Sequence, residues 1–123
     1  MATYEDAYET FTNEMNDMGM QHHEELYHAI LKSLGNTIHD KDANLVACSD
    51  KEELNQVKQD FLIGKLGMED SPRLDEVLTQ VCGAMGQSNR TKHRATFYYL
   101  CVAILNKEEV FIKKMGLPLH QTY

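Results

Sequence analysis

The chain has 123 residues, 42% of them hydrophobic and 25% charged, a size and mix that suit one globular domain and argue against both a disordered chain and a pair of independent cores. The net charge of −7 is unevenly spread: residues 1–61 carry thirteen Asp/Glu against four Lys, whereas residues 62–123 carry eight Lys/Arg against six Asp/Glu. An acidic first half with no Lys or Arg before Lys32 repels nucleic acid and anionic membranes, so a partner for it is sought in the basic half or in another protein.

In chain order, Tyr4, Ala7, Tyr8, Phe11, Met15 and Met18 recur at helical spacing, with Glu5, Glu9, Asn13 and Asp17 between them. Leu26, Tyr27, Ile30, Leu31 and Leu34 form a second stripe. Residues 36–48 read as irregular, with room for a short helical turn at 43–46. Ser49 and Glu52 have the spacing of a capping box, opening a third helix through Leu54, Val57, Phe61, Leu62 and Leu66. Ser71-Pro72 starts a fourth, because Pro at the first helical position loses no hydrogen bond. Its stripe is Leu74, Val77, Leu78, Val81 and Met85.

A fifth element follows Ser88-Asn89 and runs through 97–105, nine apolar residues in succession. A membrane-spanning helix needs roughly twenty, so this run reads as a buried central helix, although its aromatic and β-branched content also suits a strand. Asn106 to Glu109 offers a second capping box for a short helix with Val110, Phe111 and Met115, and 117–123 reads as a tail or strap. Five apolar-Gly pairs punctuate these segments: Met18-Gly19, Leu34-Gly35, Leu66-Gly67, Met85-Gly86 and Met115-Gly116. Glycine just past a helix end enters the left-handed conformation without a Cβ clash. Together these features predict an all-α fold, a compact bundle of five to six short helices around an apolar central helix, with residues 1–123 as a single helical domain.

Chemistry is less legible. Glu25 and His28 have the Glu-x-x-His spacing of a carboxylate-bridged metal site, but it occurs once, and a solvated helix face explains it more simply. Asp40 to Asn44 starts like a calcium loop, yet Leu45 and Lys51 stand where that loop requires Gly and Glu. Cys48, Cys82 and Cys101, 34 and 19 residues apart, lack the spacing of a zinc or dithiol site and read as reduced core thiols, with Cys48 next to a helix start as the one to watch. The cluster Arg90, Lys92, His93 and Arg94 opens the fifth helix, where cations are disfavoured unless they hold an anion or pair with carboxylates of the same chain. Internal pairing with the acidic N-terminal helices is the favoured reading of that cluster.

Three stretches, Cys48 to Asp50, Phe61 to Gly67 and Asn89 to Leu100, resemble the family known as domain of unknown function 2853, across roughly residues 8–110. The resemblance implies a small, mainly helical, mainly bacterial stand-alone protein and carries over no activity, cofactor or catalytic residue. With no export signal at the acidic N-terminus, a cytoplasmic location is expected. The reading that follows is a non-enzymatic module that binds a protein partner or a second copy of itself. It involves no metal, cofactor, membrane or identified small-molecule substrate. The alternative is an anion or nucleic-acid binder using Arg90, Lys92, His93 and Arg94.

Overall fold

A computed structural model of the chain describes residues 4–17, 24–35, 45–86 and 92–114. Within them lie α1 (Tyr4–Asp17), α2 (Glu24–Leu34), α3 (Lys51–Val57) running into a π-helical turn (Lys58–Ile63), α4 (Pro72–Met85), α5 (Arg94–Leu105) and α6 (Glu108–Lys114). The fold is all-α, as expected. The gaps in the description take in Gly19, Asp40 to Asn44, Arg90, Gly116 and the segment 117–123, so the readings made of those residues fall outside it.

α5 is the axis of the bundle and packs against α1, α2, α4 and α6. Every residue from Ala95 to Val102 is buried, which a helix apolar on all sides achieves only when covered from several directions. Burial on all sides, and hydrogen bonding that no neighbouring strand has to supply, hold the 97–105 run as a helix against its β-forming composition. Tyr27 of α2 crosses to α5, its hydroxyl 3.1 Å from Thr96 Oγ1, which satisfies two buried polar groups at once. Leu74, Val77, Leu78, Val81 and Met85 of α4 are buried, so the predicted stripe is the packed face.

The glycine stops act as expected where they are described: Gly35, Gly67 and Gly86 all have positive φ. Other boundaries differ from the sequence reading. α3 is capped by Asp50, whose carboxylate accepts from Glu52 N at 2.9 Å and Glu53 N at 3.4 Å, and not by Ser49. The bond from Asp50 N to Ala47 O makes a turn over 47–50 that leaves Asp50 extended at the helix threshold. α5 begins at Arg94, because His93 is extended: Val46 N donates to Lys92 O at 2.9 Å, and Leu45 and His93 form an antiparallel bridge. Leu45 and Val46 are accordingly not helical. Asn106 closes α5 instead of opening α6; with φ 57° it stands where glycine usually does, and Lys107 N reaches back to Val102 O at 3.1 Å.

The largest departure is the π-helical turn. The bonds Gly64 N to Gln59 O (3.0 Å) and Leu66 N to Phe61 O (2.9 Å) span five residues. In a regular α-helix Val57 and Leu62, and likewise Phe61 and Leu66, would lie about 140° apart around the axis. The wider turn buries all four. Its cost falls on Gly64, where a Cβ would lie 2.6 Å from Asp60 O and 3.1 Å from Gln59 O.

The cysteines are not three reduced thiols. Cys48 and Cys82 form a disulfide, with Cα atoms 6.0 Å apart, that fastens the segment before α3 to the end of α4. A spacing of 34 residues says nothing about which thiols the fold brings together. Cys101 alone matches the expectation, buried in α5 with its thiol pKa pushed well up by burial.

Candidate functional site

The π-turn opens onto a cleft of about 380 Å³ lined by Ser33, Leu34, Gln56, Asp60, Phe61, Lys65, Arg94 and Tyr98. Gln56 comes from α3, Asp60 and Phe61 from the π-turn, Lys65 from the turn just after it, Ser33 and Leu34 from the end of α2, and Arg94 and Tyr98 from the first two turns of α5. One wall is built from stacked groups. Phe61 and Tyr98 lie with ring centroids 3.9 Å apart and planes within 17°, and the Arg94 guanidinium sits 5.8 Å over the Tyr98 ring. Phe61 also meets Phe111 of α6 edge-on at 5.5 Å, which fixes its ring from behind.

The charged groups are held in place. Arg94 donates through Nη1 to Tyr98 Oη at 3.2 Å and through Nη2 to Leu45 O at 3.1 Å and to the Glu53 carboxylate. Burial lowers the Arg94 pKa, but the hydrogen bonds and charges of Tyr98 and Glu53 outweigh it and raise the value overall. Burial raises the Tyr98 phenol, with Arg94 opposing and the Asp60 charge adding, so the hydroxyl stays protonated at neutral pH. Lys65 Nζ donates to Ser33 O at 3.0 Å near the end of α2, where carbonyls lack helical partners. Ser33 Oγ donates to Ile30 O at 2.8 Å. The cleft therefore presents two cations and one carboxylate beside a rigid aromatic wall.

The basic cluster expected to act together is divided by the structure. Lys92 is buried with 3% exposure, His93 lies in the bridge to Leu45, Arg94 pairs with Glu53, and Arg90 is outside the described residues. Internal pairing of Arg94 is seen, with the Glu53 carboxylate of α3. His28 stacks on Tyr8 at 4.7 Å between α2 and α1, while the side chain of Glu25 is not described. Among the described residues, no group of three His, Cys, Asp or Glu is placed to hold a metal ion. No described helix is long and apolar enough to cross a membrane.

Asp60, Lys65, Gln56 and Tyr98 were not singled out from the sequence. Local spacing gives no signal for them: Leu26 and Leu31 of the regular helix α2 have the same five-residue separation as Val57 and Leu62 and are likewise buried. Comparison with curated proteins finds no match. The family model described as protein of unknown function (DUF2853) matches residues 10–109, which span the described part of the chain from within α1 to the start of α6 and include every residue lining the cleft; the chain belongs to this family.

Proposed function

We propose that the protein is a non-enzymatic helical binding module that associates with a second copy of itself or with another protein through the cleft over the π-turn. The observation that carries this reading is the π-turn. It breaks regular helical hydrogen bonding, depends on a glycine with no space for a Cβ, and opens onto a cleft with charges of both signs. Irregularity of this kind is kept where a surface has a task beyond packing. The division of charge between the acidic first half and the basic second half supports association between unlike faces.

Light scattering of the full chain, from micromolar to millimolar concentration at low and high salt, tests the reading. A dimer or larger assembly is expected at low salt, weakened as salt screens the facing charges, and Asp60→Lys should weaken it about tenfold. A monomer at millimolar concentration and low salt, with no protein recovered on an immobilised chain, would overturn it. The alternative, an anion held by Arg90, Lys92, His93 and Arg94, has less support, since Lys92 is buried and Arg94 already holds Glu53. Retention on a phosphate-bearing resin at low salt, lost on replacing Arg90, Lys92 and Arg94 by Ala, would promote it.

A further inference from the structure

We propose that the Cys48–Cys82 disulfide is a reducible latch that sets the position of Arg94 in the cleft and takes a dithiol as its chemical partner. The segment 45–50 is tied at three places. Its middle is bonded through Cys48 to Cys82 in the last turns of α4. Its start pairs with the threshold of α5, through Val46 N to Lys92 O and the Leu45–His93 bridge. Its end is the Asp50 cap of α3.

Arg94 hangs on both sides of this segment, through Leu45 O before Cys48 and through Glu53 just after the cap. The disulfide therefore holds against α4 the two acceptors that aim the guanidinium over Tyr98. Among the described residues, Lys58 also ties this region to the α4 side, 3.6 Å from the Asp70 carboxylate and 3.3 Å from that of Asp75, both carboxylates largely exposed and worth little as ion-pair partners. Both bonded cysteines are partly exposed, whereas Cys101 is buried. In a thiol-reducing compartment such as the cytoplasm expected from the sequence, an accessible disulfide is a transient or regulated state.

The exchange is balanced. One thiolate of the dithiol attacks a cysteine sulfur, forming a mixed disulfide and releasing the other cysteine as thiolate, which takes up a proton. The second thiol of the reductant, as its thiolate, then attacks the mixed disulfide and releases the first cysteine. Two electrons pass to the protein, which gains two thiols, and the reductant becomes a disulfide. The consequence for binding rests on the cleft reading above; the movement of segment 45–50 is testable without any ligand.

The test uses the full chain, oxidised or treated with dithiothreitol at neutral pH without denaturant, with thiol titration and amide hydrogen exchange on both forms. Reduction should yield two additional thiols and raise exchange at 45–50 and 92–95 at least tenfold, while the buried stretches of α2 and α4 keep their protection. The Cys48→Ser, Cys82→Ser double variant should match the reduced form and ignore dithiothreitol. Three results would each overturn the proposal: a bond that resists the dithiol in the native protein, exchange that rises equally in every helix, or a double variant that does not fold. The last two would mark the bond as a structural staple. If the latch behaves as expected but association does not change with reduction, the latch stands and its control of association fails, while the cleft reading is decided separately by light scattering of the oxidised chain.

Discussion

Single residues decide more here than their side chains suggest. Gly64 has an ordinary helical backbone, so its need for glycine is spatial and not conformational: a methyl group there meets the Asp60 carbonyl at 2.6 Å. Gly64→Ala is expected to cost about 1–3 kcal/mol, the range for forcing extra volume into a packed backbone. Ala at Gly83, where a Cβ meets nothing within 4 Å inside a helix, should be neutral or stabilising. Urea denaturation of both variants checks the pair; equal stability would mean the π-turn relaxes into an α-helix at little cost. At this scale the sequence was readable in part. The left-handed glycines follow from their place after an apolar stripe, whereas Arg94 and Glu53 are 41 residues apart and nothing local joins them.

At the scale of elements, which of two neighbouring residues caps a helix depends on where the chain turns. Ser49 and Asp50 both have capping side chains, and the turn closed by Asp50 N and Ala47 O selects Asp50. Asp50→Ala should therefore lower the unfolding free energy by about 0.5–2 kcal/mol, and Ser49→Ala by a few tenths at most; thermal melts of the two variants distinguish them. The reversed role of Asn106 has the same origin. A residue that can both cap a helix start and adopt positive φ is ambiguous in sequence, and the return bond from Lys107 N to Val102 O settles it. The helices themselves were legible because each carries its own apolar stripe. The π-turn was missed because its apolar spacing also suits a regular helix, as the buried pair Leu26 and Leu31 of α2 shows.

For the whole molecule, burial of titratable groups at the axis sets the response to alkali. Cys101 is held neutral well above its ordinary value of 9.0, and Tyr98 above 10.0, chiefly by burial in both cases. Each raised folded-state value gives stability that is complete below the unfolded value and lost as pH rises toward the folded one, because unfolding then releases a proton. Melting temperature should fall from about pH 9 upward, with a limiting slope of about 1.4 kcal/mol per pH unit per group. Cys101→Ala should remove the part that begins near pH 9 and leave the part that begins near pH 10; an unchanged profile would show that Cys101 titrates freely. Burial of Cys101 was legible in the apolar run 97–105, whereas the place of Tyr98 beside Arg94 and Asp60 depends on how the surrounding helices close around α5.

The Phe61–Tyr98 stack has a practical consequence. The chain contains no tryptophan, so its six tyrosines dominate the near-ultraviolet absorption. One of them, Tyr98, lines the cleft while clamped between a phenyl ring and a guanidinium. A molecule entering the cleft, or a shift of Arg94, changes the surroundings of that chromophore directly. The native protein thus carries its own unlabelled optical probe of the cleft, and replacing Tyr98 with Phe would silence it.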